Sequence, residues 1–192
     1  LLDASVAGQS GGLYTGLGIS GRIDSRDNTD WSTSGQLWSS RLDLYSEALG
    51  SDVGFYLAQV SAAHFITLGA DVLAVRAHGQ LASAKTPFTH LPKPTGDRTL
   101  RGANGNRWID FTALGGQLEW RKTLGPKWAG VAFFDSIQVA PSLAELQVRE
   151  FHSSVGLGLR FATTPDRFNV RLDIGLVDAQ ELNFAITVGE AF

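Results

Sequence analysis

The chain contains no cysteine and no methionine, and it has no excess of positive charge, since 16 Lys and Arg stand against 19 Asp and Glu. Without cysteine it can form neither a disulfide framework nor a thiolate metal site. Nucleic-acid-binding proteins normally carry a clustered basic face, so the net charge of -3 argues against nucleic acid as a partner. The four histidines are too scattered to predict a metal site, and we expect no cofactor.

Long apolar runs are also missing, and none approaches the ~20 residues that a membrane-spanning helix requires. The first residues, Leu1-Leu2-Asp3-Ala4, have neither the basic nor the apolar region of a signal peptide, so we expect a mature chain or an excised domain. A β-barrel can nevertheless cross a bilayer, because only alternate residues of its strands face lipid.

Apolar and polar residues alternate in nine segments of the chain, which is typical of transmembrane β-strands. In residues 154–161, for example, Ser, Gly, Gly and Arg alternate with Val, Leu, Leu and Phe. Single-chain bacterial barrels have an even number of strands, so either residues 2–7 add a strand before a turn at 8–12, or one segment is wrong. The nine segments are residues 13–23, 36–46, 53–66, 71–82, 114–121, 128–135, 154–161, 168–176 and 182–192.

The faces opposite the apolar ones decide the predicted class. They mix Gly, Ala and Ser with isolated charges, whereas Lys and Glu would dominate a solvated surface. Such faces suit a confined polar lumen, and Trp38, Trp120 and Trp128 lie near segment ends, as interfacial residues should. We therefore predict an all-β fold, a transmembrane antiparallel β-barrel of about eight to ten strands, forming a single domain over residues 1–192. A soluble barrel or sandwich is the alternative.

One long irregular stretch, residues 83–110, separates the fourth segment from the fifth. It contains three of the six prolines, and connections of this length are usually functional or disordered. Within it stands the tetrapeptide Thr99-Leu100-Arg101-Gly102.

This tetrapeptide and its surroundings resemble the bacterial surface antigen superfamily, which includes the BamA/TamA-like outer-membrane assembly factors and the FhaC-like two-partner secretion barrels. Members carry an Arg-Gly tetrapeptide at the tip of a long extracellular loop that folds back into the lumen. The resemblance therefore implies that the loop between the fourth and fifth strands folds into the lumen here. Further similarities follow in order over residues 13–192, namely the turn motif at 24–28 with 33–35, the strands at 116–121 and 131–135, the pair at 154–160 and 164–173, and the aromatic end at Phe192.

The sequence also departs from the family pattern. The similarity covers only the C-terminal half of a barrel that normally has sixteen strands, and we expect no periplasmic polypeptide-transport-associated domain in this chain. Ala103 stands where the family loop continues with an aromatic residue, and Asp166-Arg167 replace the glycine usual after the Thr-Pro pair. The resemblance thus implies the barrel and its loop, but not the handling of client chains.

The resemblance implies a loop lock formed by Leu100, Arg101 and Gly102. An unpaired arginine in a narrow polar lumen would be costly, so Arg101 needs an acceptor there unless it is a solvated loop residue. Asp135 and Glu119 lie on neighbouring segments and could form charge-assisted contacts with its guanidinium, with Asp135 as the first acceptor. Because Gly102 has no Cβ, the loop backbone can approach a strand closely.

The end of the chain resembles the terminal assembly signal of outer-membrane barrels, through Phe184 and Phe192. The resemblance thus implies outer-membrane lipid as a partner, together with the assembly machinery, reached through the C-terminal strand. A homodimer is a further option, since strand edges in hydrocarbon must pair with each other or with another copy.

Three functions stay open on the sequence: an outer-membrane assembly or secretion barrel in which two copies could share a pore, a small closed barrel with a filled lumen and a structural or adhesive role, and an outer-membrane lipid-modifying enzyme. His152 with Ser153 and Ser154 is the nearest approach to a catalytic pair, but no nucleophile elbow is present, so we expect no catalytic residue. The charges predicted to face the lumen, interpreted as a structural network rather than a selectivity filter, are Arg41, Asp43, Arg76, Arg121, Arg160, Arg171 and Asp173.

Overall fold

The computed structural model describes residues 7–192, which form one antiparallel sheet of nine strands. Each strand pairs with the strand that follows it, so the order across the sheet is the order along the chain. The expected all-β antiparallel fold is confirmed. The strands are β1 (Gly16–Asp24), β2 (Gly35–Tyr45), β3 (Phe55–Leu68), β4 (Asp71–Ala82), β5 (Thr112–Thr123), β6 (Trp128–Ala140), β7 (His152–Ala162), β8 (Asn169–Val177) and β9 (Glu181–Val188).

In the described part of the chain, helical structure is limited to four single turns of 3-10 helix in the connections. Over residues 7–192 no helix has both the length and the apolar character needed to cross a membrane. The further strand suggested at residues 2–7 falls, except for Ala7, outside the described residues, and residues 7–10 form a turn.

The last alternating segment differs from the prediction at its end. β9 stops at Val188, because Gly189 adopts a left-handed φ of +74° that breaks the extended chain. A two-residue period continued over the whole predicted segment 182–192 would place Phe192 on the same face as Phe184, and this part of the prediction is wrong. The ring of Phe192 packs 6.1 Å from that of Phe65, whose side chain is buried on the opposite face of the sheet.

The two faces of the sheet have the opposite character from those of a soluble protein. On one, here called the apolar face, large side chains are exposed, such as Leu157 at 67% and Phe184 at 74%. On the other, the polar face, charged side chains are buried, and Arg160 and Glu119 are each 0% exposed. In soluble proteins charged residues cover the surface, and they are almost never fully buried unless they are paired.

The sheet curls around its polar face. Strands in a flat sheet lie about 4.8 Å apart, so β3 and β9 would be roughly 29 Å apart. The contact between Phe65 of β3 and Phe192, just beyond β9, requires a strong curl instead. Trp31 of the β1–β2 connection likewise packs against Val131 and Phe133 of β6. The polar face is thus concave and the apolar face convex.

Connections at the two ends of the strands differ in length. The β4–β5 connection, residues 83–111, is the longest and lies at the same end as the β6–β7 connection, residues 141–151. The opposite end has the short β3–β4 and β5–β6 turns but also the ten-residue β1–β2 connection, whereas the three-residue β8–β9 turn lies at the end with the long loops. At the end with the β1–β2 connection, the exposed rings of Trp38, Trp120 and Trp128 project from the apolar face, as in the aromatic girdle of an outer-membrane barrel.

Candidate functional site

The β4–β5 loop reaches across the concave face with Arg101, whose side chain is 1% exposed. Its guanidinium forms a two-pronged contact with Asp135 of β6, through Nε at 2.8 Å and Nη2 at 2.7 Å. The backbone N–H of Arg101 also donates to Asp135, at 3.0 Å, and Nη1 donates to Glu119 of β5. The ring of Phe133 lies 3.7 Å below the guanidinium carbon. The structure therefore brings Arg101, Asp135 and Glu119 together on the polar face.

Glu119 connects this contact to a wider network of buried charges. It accepts a hydrogen bond from Arg121 Nε at 2.6 Å, and Arg160 Nη2 lies 3.7 Å away. Arg160 in turn contacts Asp173 at 2.6 Å and Glu190 at 2.9 Å. Burying charges is costly unless each is paired, and here arginines and carboxylates alternate along the network. Of the charges predicted to face the lumen, Arg121, Arg160 and Asp173 belong to this network. Arg41 and Asp43 instead pair with each other within β2, and Arg76 has only neutral hydrogen-bond acceptors.

The loop backbone also touches the strand backbone directly. Gly102 has a φ of +88°, and a Cβ at this position would lie 2.8 Å from the carbonyl oxygen of Gly175 in β8. A Cβ on Gly175 would lie 2.5 Å from the carbonyl oxygen of Arg101. Two glycines thus face each other, and only the absence of both side chains permits the approach.

An apolar contact completes the attachment of the loop. Leu100 is 0% exposed and packs with Ala103 of the loop, Ile137 of β6 and Val177 of β8. Burying a leucine side chain of this size stabilises by about 1.5–3 kcal/mol. Ala103 is itself buried, so this position, where an aromatic residue was expected from the family pattern, lies in a small apolar cluster.

Further hydrogen bonds attach the β4–β5 loop to other strands, so that it contacts six consecutive strands. Arg76 of β4 donates to a loop carbonyl, that of Arg98, at 3.2 Å. Ser154 of β7 donates to the Arg101 carbonyl at 2.5 Å, and Asn183 of β9 donates to the Gly102 carbonyl at 2.8 Å. Together with Glu119 of β5, Asp135 of β6 and Gly175 of β8, these contacts fix the loop from β4 to β9.

Sequence reasoning missed a second anchor of the loop. Asp97 accepts from Arg171 Nη2 at 2.8 Å, and Arg171 also donates from Nε to Thr187 of β9. Arg171 had been assigned to the network, but nothing in the sequence singled out one loop carboxylate as its partner. Glu190 was also missed, because it follows the turn at Gly189 that the alternation did not predict.

The histidine–serine pair does not form a catalytic arrangement in the described part of the chain. The ring of His152 contacts Asp178 at 2.9 Å and stacks on Trp108 at 4.1 Å. The hydroxyl of Ser153 is 3.0 Å from that of Ser136, and the hydroxyl of Ser154 donates to the loop. Residues 7–192 contain no group of three or more potential metal ligands.

The two phenylalanines assigned to the terminal signal lie in different places. Phe184 projects from β9 on the apolar face and is exposed, whereas Phe192 packs on the polar face beside Phe65 and near the guanidinium of Arg121. The structure does not bring them together.

The turn motif between β1 and β2 is held by Asp27. Its carboxylate accepts hydrogen bonds from the backbone N–H groups of Thr33 and Ser34, at 2.8 and 3.0 Å, and from the Thr33 hydroxyl at 2.5 Å. Burial alone would raise the pKa of Asp27, but these hydrogen bonds outweigh it, and the pKa is lowered. The motif therefore closes a ten-residue connection that carries Trp31 to β6.

The fold of the curled antiparallel sheet, with its apolar convex face, is similar to that of a BamA barrel. The chain is similar to the crystal structure of BamA from Haemophilus ducreyi lacking POTRA domains 1-3, with a TM-score of 0.73 and 16% sequence identity. The similarity covers 91% of this chain and 42% of that one, so the chain spans less than half the length of the BamA chain. At this identity the likeness shows the fold. No family model matches the chain, and no curated protein matches it in sequence.

Proposed function

We propose that this chain is part of an outer-membrane β-barrel of the protein assembly and secretion type, with its loop locked inside the lumen. The observation that carries the proposal is the burial of Arg101 between Asp135 and Glu119, which fixes the β4–β5 loop on the concave face. This is the arrangement that the resemblance to the surface antigen superfamily implies. The BamA-like fold supports it at a coarse level.

The location in the outer membrane is supported by the convex face. Its large apolar side chains need a solvent less polar than water, and its strands have 8 to 14 residues, around the ~9–11 that a tilted strand needs to cross the hydrocarbon. The exposed tryptophans near one end of the strands, Trp38, Trp120 and Trp128, would then lie at a membrane interface.

The edge strands give the proposal its second part. Within residues 7–192, β1 pairs only with β2 and β9 only with β8. In hydrocarbon each unpaired backbone group costs several kcal/mol, so both edges require partner strands. We propose that they pair with strands of a second copy, or with each other, and that the assembly machinery recognises β9 during insertion.

Reconstitution tests this function directly. The chain, folded in detergent, is inserted into lipid vesicles, and the rate at which an unfolded eight-stranded client barrel folds into those vesicles is compared with the rate in empty vesicles. We expect faster client folding, and discrete conductance steps in a planar bilayer. Insertion without either effect would favour the small closed barrel with a filled lumen and would contradict the proposal.

The loop lock has its own control in the same experiment. Arg101→Ala should release the loop and change the conductance, because the loop covers six strands of the concave face. Arg107→Ala is the matched control, since Arg107 belongs to the same loop but forms a largely exposed pair with Glu181 at 2.5 Å. Equal effects of the two variants would argue against a lock at Arg101.

A further inference from the structure

A cavity of about 430 Å³ lies on the polar face of β1–β4, beside the loop residue Thr99 and away from the network around Glu119. Its volume is within the ~300–1,000 Å³ of typical small-molecule sites. No acidic side chain is found among the described residues that line it. Positive charge comes from Arg22, Arg41 and Arg76.

Arg76 is the member of this set whose charge is not balanced. Its Nε donates to the Ser61 hydroxyl at 2.9 Å, and its Nη1 donates to the Arg98 carbonyl at 3.2 Å and to the Gln117 side chain at 3.3 Å. All three acceptors are neutral. Among residues 7–192 no carboxylate lies within ion-pair distance of the guanidinium, and Nη2 has no acceptor. A half-buried charge in this state favours a counter-ion.

The other two arginines of the cavity are each paired within their own strand. Arg22 contacts Asp24 at 2.6 Å, and Arg41 contacts Asp43 at 2.7 Å. The arginines of the network on β5–β9 also have carboxylate partners. Arg76 therefore stands out as the position on the polar face where an anion from outside the described chain would complete the charge balance.

The remaining lining suits an anion with several oxygen atoms. Hydroxyl and amide groups donate hydrogen bonds without adding negative charge, and an arginine fork matches the geometry of phosphate oxygens. The buried ring of His78 also lines the cavity, and its Nε2 has no hydrogen-bond partner in the described part of the chain. The neutral polar side chains of the lining are Ser20, Ser39, Ser61, Thr99, Gln59 and Gln80.

We propose that this cavity binds a phosphate-type oxyanion, either free or as the monoester headgroup of a lipid, with Arg76 as the charged contact. The proposal does not depend on the assembly function, because it rests on the cavity alone.

The experiment uses the folded chain in a phosphate-free detergent at constant ionic strength. Inorganic phosphate and, separately, a short-chain phosphatidic acid are titrated by calorimetry. We expect saturable binding of at least one probe and at least a tenfold loss of affinity in Arg76→Gln. Binding of phosphate identifies a free anion, whereas binding of phosphatidic acid alone identifies a lipid headgroup.

Two further variants keep the test decisive if Arg76→Gln fails to fold. Gln80→Glu retains Arg76 but adds a negative charge to the cavity wall, and it should weaken binding by a similar factor. Arg107→Gln lies outside the cavity and should bind as the unmodified chain does. The proposal is overturned if neither probe binds saturably, or if Gln80→Glu binds unchanged.

Discussion

At the scale of single residues, the loop depends on a contact in which one cation is shared by two carboxylates. Asp135 receives three hydrogen bonds from Arg101 and one more from the side chain of Gln117, at 3.2 Å. Glu119 keeps Arg121 as a partner when Arg101 is absent. Asp135 is therefore the carboxylate that loses its counter-charge when Arg101 is removed.

The first prediction is a double-mutant cycle on this contact. Arg101→Ala and Asp135→Ala should each lower the free energy of unfolding by about 3–5 kcal/mol, because each breaks the buried ion pair between these two residues. The double variant should lose far less than the sum of the single losses. Urea unfolding in detergent, followed by tryptophan fluorescence, measures all three.

The control for this cycle is Arg107→Ala, whose exposed pair with Glu181 should contribute no more than about 1 kcal/mol. Strictly additive losses for Arg101 and Asp135 would show that the two residues act separately.

The second prediction concerns the facing glycines. Gly175→Ala places a Cβ against the carbonyl oxygen of Arg101, so it should displace the loop and make the peptide bonds near Gly102 accessible to protease. Gly116→Ala is the matched control, because the nearest atom to its new Cβ is 3.7 Å away. Equal protease resistance of the two variants would contradict the close approach of loop and strand.

Residues also show what the sequence could not reveal. The alternation places Asp135 and Glu119 on one face of neighbouring strands, and the structure has them there. It also predicts that Gly156→Ser, on the polar face, costs much less than Leu157→Arg on the apolar face. In the structure a Cβ on Gly156 would clash with the Ile174 carbonyl oxygen and the Phe133 ring. Periodicity identifies a face, but it carries no information on the space available at that face.

At the scale of the strands, the two faces make opposite demands on neighbouring residues. The third prediction compares Val60 and Gln59 of β3, which are adjacent, so that their side chains point to opposite faces of the strand. Val60→Arg puts a charge on the convex face and should cost roughly 2–4 kcal/mol in a bilayer. Gln59→Arg projects into the cavity and should cost much less. Unfolding in lipid vesicles measures both.

If the convex face were in water, the difference in cost between Val60→Arg and Gln59→Arg would be reversed or absent. Equal costs for the two arginines, or a chain that stays folded and monomeric without detergent, would rule out lipid as the solvent of the convex face.

The fourth prediction concerns the β1–β2 connection and its pH dependence. The lowered pKa of Asp27 means that its carboxylate stabilises the fold at neutral pH. This contribution is fully present above the pKa of the unfolded chain and is lost as the pH falls through the lower folded value. Acidification should therefore lower the hydrogen-exchange protection factors of Thr33 and Ser34, whose N–H groups Asp27 binds, when each rate is compared with that of an unstructured chain at the same pH. Asp27→Asn should show low protection factors already at neutral pH, with little further change on acidification.

The sequence predicted the existence of the strands better than the residues at which they end. All nine alternating segments correspond to strands, because a two-residue period follows directly from the geometry of an extended chain. The misplaced Phe192 and the missed Glu190 both lie beyond Gly189, where one left-handed residue ends the period. The partner of Arg171 could not be predicted either, because Asp97 lies in an irregular loop that has no period at all.

At the scale of the whole molecule, the fifth prediction concerns the open edges. The chain has no cysteine, so single cysteines at Ile19 of β1 and Phe184 of β9 are unambiguous probes. If two copies pair, mixing the two single variants should give cross-linked dimers in the membrane. If the chain closes on itself, the double variant should cross-link only within monomers. Cross-links in neither experiment would show that other strands cover both edges.

The pairing pattern also gives the edges a direction. Eight successive antiparallel steps separate β1 from β9, so the first and last strands run the same way. A strand running in the opposite direction could pair antiparallel with both β1 and β9. An odd number of additional strands would therefore close the ring with antiparallel pairing throughout. Two copies inserted in the same orientation would instead meet at two parallel seams, whose slanted hydrogen bonds are slightly less stable per residue. The strand pairs at those seams would be the least stable in such a ring, and we expect them to separate first.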